Sequence, residues 1–347
     1  MVAFASPLVP PSLTGGGGGR SASGLVVSAR GVGTIGWGDP RRGYGSRTTR
    51  RDLAAAYEVL LLGGVSFIDT AEVYGYQSIP DGASAECLLG GMTLPEAAPS
   101  SPVIGTKFFP VPWTAALVGG GVRAGRGAVV EALRASLARL NMPAVDLYSI
   151  HFPLPYWGGE AALVDGLAAA RDEGLLRAVG VCNYDAAAVS RIASRLRSVG
   201  LTLTTNQVGY SLLDRRAETS GTVEACGEEG VTVVAHTPLA RGLLTGRSPD
   251  VLDEAAMEEA AFWRPLTQLM KLVGTFEGGG RVDVTAAQVA LNYLVAKGAL
   301  PIAGVMHEGH ARDVVAAGNW ALDDNSVAVL EEKTLYLEGT KGGGGGG

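Results

Sequence analysis

The feature that most limits how this chain can fold is a recurring alternation. A short apolar run ends in a polar or ionisable residue and a turn follows. Then comes a stretch with apolar residues three to four apart, usually stopped by glycine. The apolar runs are residues 31–37, 65–68, 103–107, 146–151, 178–182, 203–208, 232–236 and 300–304, and they read as strands. Helical spacing fills 49–62, 84–89, 127–140, 161–173, 185–198, 219–229, 286–297 and 310–317, with Ser84, Asp185 and Thr285 placed as N-caps. About eight strand–helix units in steady alternation imply a parallel sheet covered by helices, hence an α/β protein. Closed into a (β/α)8 TIM barrel, such a sheet takes ~250 residues plus loops, which accounts for a single domain over residues 31–338 of the 347. An open doubly wound sheet is the alternative, but the first strand does not lead through a GxGxxG turn into a helix. Its glycines, Gly31, Gly33 and Gly36, point instead to something that approaches the backbone closely. The connection 240–284 is unusually long, and 252–273 carries some helical pattern. In a barrel it lies on the catalytic rim, either folding over a ligand or serving as variable padding.

Hydrophobic residues make up 47% of the chain, enough for a sizeable core. The net charge is −6 with no basic stripe, which argues against a nucleic-acid partner. No apolar run reaches the ~18 residues of a spanning helix, so no membrane partner is expected. The three cysteines, Cys87, Cys182 and Cys226, lack CxxC spacing and fit a reducing compartment. The four histidines include no HExxH pair, so no metal centre is expected. Asp39 is the first acidic residue; the segment before it holds serines, prolines, Arg20, Arg30 and the glycine run 15–19. Over residues 1–30 that composition fits a disordered organelle transit peptide, with a plain disordered terminus as the alternative. Residues 339–347 read as a flexible Gly-rich tail.

Three strands end in ionisable groups. Phe67-Ile68 runs into Asp69 and, five residues on, Tyr74; Ile104-Gly105-Thr106 ends at Lys107; Tyr148-Ser149-Ile150 ends at His151. A carboxylate at the end of a buried strand is costly without a partner. Taken singly, Asp69 reads as a turn cap, Lys107 as a solvated rim charge and His151 as a satisfied core histidine. Delivered together to the C-terminal rim of a parallel barrel, they have the layout of an active site.

Those residues resemble the aldo-keto reductase superfamily. Phe67-Ile68-Asp69-Thr70-Ala71-Glu72-Val73-Tyr74-Gly75 is similar to its Asp-Thr-Ala…Tyr-Gly signature, Gly105-Thr106-Lys107-Phe108 to its lysine strand, and Leu147-Tyr148-Ser149-Ile150-His151-Phe152-Pro153 to its histidine strand. Further matches are Gly180-Val181-Cys182-Asn183-Tyr184, Asn206-Gln207-Val208, Pro238-Leu239-Ala240-Arg241-Gly242 and Pro301-Ile302-Ala303-Gly304. The likeness runs in unbroken order over about 31–337 and, with the N-terminal segment, is greatest to the plant plastid branch. It implies a chloroplast stromal enzyme, a monomer or weak oligomer, that interconverts carbonyls and alcohols with NAD(P)H. The catalytic residues it implies are Asp69, Tyr74, Lys107 and His151. Tyr74 would donate the proton, and a free phenol with a pKa of ~10 donates poorly near neutrality. Lys107 is expected to lower that pKa, Asp69 to hold Lys107, and His151 to orient the carbonyl oxygen.

The resemblance also implies a cofactor path. Asn183 and Gln207 would bind the nicotinamide carboxamide, and His236 stands where the family often stacks an aromatic ring. Leu239, Gly242 and Leu244 would line the pyrophosphate, while Cys182 replaces the usual hydroxyl residue. The position that usually holds a lysine or arginine for the 2′-phosphate is Met306, but Arg312 matches a family arginine, so NADP is the first choice and NAD the second. Trp37, Trp113, Tyr156 and Trp157 follow strand ends and suggest an apolar rim for an aromatic or aliphatic aldehyde. Two other functions are weighed: an NADPH-binding regulatory or sensor subunit with little turnover, and a Schiff-base aldolase using Lys107.

Overall fold

The computed structural model describes residues 12–13, 25–119, 122–246 and 254–342. Eight parallel strands close into a barrel: β1 (Gly31–Gly33), β2 (Phe67–Asp69), β3 (Val103–Phe108), β4 (Val145–Ile150), β5 (Leu176–Cys182), β6 (Leu203–Gly209), β7 (Thr232–His236) and β8 (Leu300–Gly304). Each pairs with its sequence neighbours, and β8 closes the ring between β7 and β1. The open-sheet alternative is thereby excluded.

Side chains alternate along a strand, so every second residue points inward. Near the strand starts the inward set is apolar, with Phe67, Leu147, Ala178, Val234, Leu300 and Ile302 in one buried cluster. Phe67 explains the glycine of β1: a Cβ on Gly31 would lie 2.7 Å from the Phe67 ring and 2.9 Å from its carbonyl oxygen. The close approach foreseen at this strand is therefore the barrel's own filling. Leu25 and Val27 belong to the same cluster, and Ser12–Leu13 pairs antiparallel with Leu25–Val26. The packed structure thus begins before Gly31, within the segment 1–30 that composition marks as disordered, because two apolar side chains there plug the barrel interior. The remainder of that segment, residues 1–11 and 14–24, lies outside the described residues, as does 343–347 of the glycine tail.

The outer strand faces pack against the helices in the largest buried cluster, which includes Ile68, Ile104, Tyr148, Ile150, Val179 and Val181. Thr49 and Asp52 form a reciprocal capping box, and the hydroxyls or carboxylate of Ser84, Asp185 and Thr285 accept the backbone N–H groups of Cys87, Ala188 and Gln288. The long connection carries two helices, Glu254–Phe262 and Arg264–Glu277, and Trp263, Leu266 and Met270 on it are buried in the main core. Its middle is therefore a packed element of the wall. A last helix, Asp324–Gly342, runs beyond the one expected to end the fold, and its buried positions include Leu330, Thr334 and Leu337. The chain thus stays helical four residues into the span 339–347 that composition assigned to a flexible tail.

A buried charge network lies just outside β2, β3 and β4. Arg123 donates from Nη2 to Glu72 Oε2 at 2.6 Å, both side chains being fully buried. Glu86 accepts from Arg139 at 2.7 Å and from the Thr106 hydroxyl at 2.5 Å. Removing one member of such a pair strands a charge in the interior. Arg123→Met is expected to cost about 3–5 kcal/mol of stability, read as a fall in the denaturant midpoint at unchanged slope; a loss below about 1 kcal/mol, the worth of a surface pair, would contradict this burial.

Candidate active site

At the tops of the strands the inward file turns polar: Asp69, Cys182 and His236 end β2, β5 and β7, His151 directly follows β4, and Lys107 and Gln207 lie one and two residues before the ends of β3 and β6. Lys107 is 1% exposed and its ammonium has three acceptors: Asp69 Oδ2 at 2.5 Å, the Thr70 carbonyl at 2.8 Å and Tyr74 Oη at 3.3 Å. An ammonium has three N–H groups, so this one is fully used. Asp69 is completed on its other oxygen, where Gln207 Nε2 donates to Oδ1 at 2.8 Å. Burial favours a neutral amine, but Asp69 overrides it and holds Lys107 above its usual value. The buried pair is tolerated because its polar atoms find partners.

Tyr74 accepts from Lys107, which leaves its own O–H proton free for another partner. Burial pushes the phenol up to about 12, against the opposing pull of Lys107. The expected lowering by Lys107 is present as a direction, yet desolvation of the half-buried ring outweighs it. The His151 ring stands edge-on to Tyr74 at 5.7 Å between centroids and stacks on Phe152 at 4.7 Å. Phe109 is edge-on to both rings. Burial, then the nearby charge of Lys107, then His236 hold His151 well below 6.5, so it is neutral. Burial likewise pushes the Cys182 thiol up to about 12, which keeps it from acting as a nucleophile.

Two of the expected cofactor amides already serve the site. Asn183, at φ 63°, donates from Nδ2 to the His151 carbonyl at 3.3 Å, and its Oδ1 lies 3.1 Å from His236 Nε2. Gln207 is the partner of Asp69 described above. After β7 the backbone enters the left-handed region at Thr237, Ala240, Arg241 and Gly242. Three non-glycine residues there within five positions store strain, each at a cost of about 1–3 kcal/mol, and such strain clusters at ligand sites. Leu239 lies in this segment, and Leu244 beyond it is fully buried. Arg312 is exposed and ion-paired with Glu308 one turn away. Met306 is packed on Gly36, where a Cβ would come within 2.5 Å of its sulfur. Of the four expected rim aromatics, Trp37 is fully buried, donating Nε1–H to the Val305 carbonyl, and Tyr156 is buried with its hydroxyl on the Gly125 carbonyl. Trp113 and Trp157 are exposed. No group of three or more His, Cys, Asp or Glu side chains suited to a metal occurs among the described residues.

Sequence reasoning passed over Glu72, Phe109, Arg123 and Phe152. Glu72 stands inside the first motif, and a second carboxylate three residues after Asp69 was the available signal; Arg123, a loop residue 51 positions away, gave none.

With this geometry in place, comparison identifies the class. The chain belongs to the aldo/keto reductase family, whose model matches residues 31–334. Among relatives, the chloroplastic pyridoxal reductase of Arabidopsis thaliana is 31% identical over 315 residues, 88% of this chain and 83% of its own length. An uncharacterized oxidoreductase of Mycobacterium tuberculosis is 29% identical over 317 residues, covering 88% and 89%. The solved aldo/keto reductase of Klebsiella pneumoniae, in complex with NADP and acetate, superposes with a TM-score of 0.65 at 24% identity over 90% of this chain and 93% of its own. Its likeness bears on the barrel fold.

The depressed His151 has a consequence for stability. The unfolded imidazole takes up a proton near 6.5 whereas the folded one does not, so the unfolded state binds more protons below that pH. Stability should therefore fall as pH drops below about 6.5, by up to about 1.4 kcal/mol per unit from this group. The ring nitrogen shifts of His151 in nitrogen-15 NMR should not titrate between about pH 5 and 8; titration near the ordinary value would show the ring to be solvated.

Proposed function

We propose that the protein reduces an aldehyde or ketone to an alcohol, with Tyr74 as the proton donor and a reduced nicotinamide dinucleotide, NADPH first and NADH second, as co-substrate. The observation that carries this reading is the Lys107 ammonium shared between Asp69 and Tyr74. Reduction of a carbonyl builds negative charge on oxygen, which needs a proton and a hydrogen-bond donor. Tyr74 supplies the proton, because its oxygen is already an acceptor for Lys107 and its hydrogen is left to donate. Lys107 then faces the nascent phenolate and stabilises it, while Asp69 and Gln207 keep the ammonium charged and in place. Neutral His151 donates a hydrogen bond to the same carbonyl oxygen and orients it between the flanking rings of Phe109 and Phe152.

When bound, the nicotinamide supplies the hydride. The chain's residues suit such a group: half-buried amide and imidazole at Asn183 and His236, and a strained left-handed turn at 237–242. Asn183 and Gln207 would hold the carboxamide, His236 would lie against the ring, and Leu239 and Gly242 would border the pyrophosphate. Arg312 would serve the 2′-phosphate, since its present partner Glu308 is an exposed helix neighbour and such pairs hold weakly. Aromatic walls at Phe109 and Phe152, with Trp113 and Trp157 exposed, favour an apolar or aromatic aldehyde, and the relative named for pyridoxal, a compact ring aldehyde, agrees with that class. That same relative, with the acid-poor leader, supports a plastid location.

Tyr74→Phe should lower turnover of an aldehyde panel by about 10²–10⁴-fold while cofactor binding, read by quenching of protein fluorescence, is retained. Wild-type protein that binds NADPH but turns over none of the panel would favour the sensor reading, and borohydride trapping of substrate on Lys107 would favour the aldolase. Arg312→Ala should weaken NADPH about tenfold while sparing NADH, the loss of one charge-assisted phosphate contact; equal weakening of both would remove Arg312 from the 2′-phosphate.

A further inference from the structure

Between β2 and the helix that follows it, residues 70–74 run without regular structure, and Tyr74 depends on them for its place. Apart from the Lys107 bond to the Tyr74 hydroxyl itself, three ties hold this segment to β3 and its exit. Thr70 N–H donates to the Gly105 carbonyl at 2.8 Å, and Lys107 Nζ donates to the Thr70 carbonyl at 2.8 Å. Both grip its first residue. The third is further along: Glu72 Oε1 accepts the Phe109 backbone N–H at 2.6 Å. Phe109 directly follows β3, the strand that carries Lys107, and its ring is edge-on to His151. The other oxygen of Glu72 accepts from Arg123, whose guanidinium covers the Phe108 ring at 5.1 Å. One buried carboxylate thus joins the tyrosine segment, the exit of the lysine strand and a ring on His151, without touching the reacting groups.

We infer that Glu72 is a positioning residue of the reaction, a clamp that sets the Tyr74 hydroxyl against the Lys107 ammonium, and this inference rests on the carbonyl reduction proposed above. A carboxylate suits the task because its two oxygens reach two donors on different elements at once. Burial still pushes the Glu72 carboxyl up, to about 7, against the opposing pull of Arg123, and the Arg123 contact fixes the direction of the side chain. The structural cost of losing the pair is separable from the positioning effect, since replacing both charges by apolar groups removes the stranded charge but does not restore the Phe109 tie.

The test compares Glu72→Met, which has no oxygen to accept the Phe109 N–H, with the double variant Glu72→Met/Arg123→Met. In both, the single-turnover rate of hydride transfer should fall by about 10²-fold while the Kd for NADPH stays within about twofold, the split expected of misplacement rather than lost binding. The double variant should regain thermal stability relative to Arg123→Met without regaining rate. Recovery of both together would make Glu72 purely structural and overturn the inference. Should either fail to fold, Glu72→Asp keeps the charge but is one methylene too short to reach both donors; low rate at normal Kd supports the clamp, and wild-type rate overturns it. A crystal structure of whichever variant folds gives a readout free of turnover: the Tyr74 Oη to Lys107 Nζ separation, 3.3 Å in the parent, should open beyond about 4 Å. If the parent itself reduced no carbonyl compound, the function would be wrong while that separation still decided the clamp.

Discussion

A lysine ammonium buried to 1% exposure is the constraint around which this barrel top is arranged. Removing such a charge from water costs several kcal/mol unless the interior returns both an opposite charge and a full set of hydrogen bonds. Asp69 provides the charge, the Thr70 carbonyl the second acceptor, and Tyr74 the third. Gln207, from the far side of the ring, occupies the oxygen of Asp69 that Lys107 does not use. Four side chains from three strands and one turn are thereby locked to each other, and Tyr74 is placed by the need of Lys107 for its third partner.

The barrel makes this convergence natural. Inward residues change from apolar to polar along four of the strands, where Phe67 gives way to Asp69, Leu147 through Ser149 to His151, Ala178 through Gly180 to Cys182, and Val234 to His236. The lower layers pack as a core that includes Leu25 and Val27, and the upper layer, facing the βα-loops, presents the polar groups to which the proposed chemistry is assigned. Gly75 shows how tightly the loops are fitted: at φ 63°, a Cβ there would lie 2.6 Å from the Trp37 carbonyl. The Tyr74 segment is thus wedged between the loop after β1 and the end of β3.

Most of the architecture was legible because hydrophobic period and helix caps are local signals: Ser84, Asp185 and Thr285 cap where their spacing places them, and strand boundaries fall within a few residues of expectation. The ends were less legible. Leu25 and Val27 sit in an acid-poor, low-complexity context, and only the barrel interior that they fill shows why they are buried. Helix Asp324–Gly342 meets the barrel through a narrow stripe, too sparse to mark a helix by period. The four residues of the resembled tetrad converge in space, whereas the environment of Tyr74 could not be read from the chain: nearness to Lys107 was inferable, but the greater effect of burial is a property of packing. The aromatic rim failed similarly, since Trp37 and Tyr156 find buried hydrogen-bond partners that no spacing announces.

The high phenol value bears on direction. A group held near 12 is protonated throughout the physiological range, so Tyr74 stands as a donor and almost never as a base. On the proposed chemistry, carbonyl reduction finds Tyr74 in the form it needs, whereas alcohol oxidation must first remove a proton that burial holds in place. Lys107 moderates this bias, because a fixed ammonium stabilises the phenolate and draws the two ionisation states closer in energy. Its strength depends on keeping the Tyr74 hydroxyl and the ammonium in register, and so on the loop geometry that Glu72 and Phe109 share. The balance between burial, which raises the phenol, and Lys107, which lowers it, is therefore set by packing around the barrel rim as much as by the identity of the four polar residues.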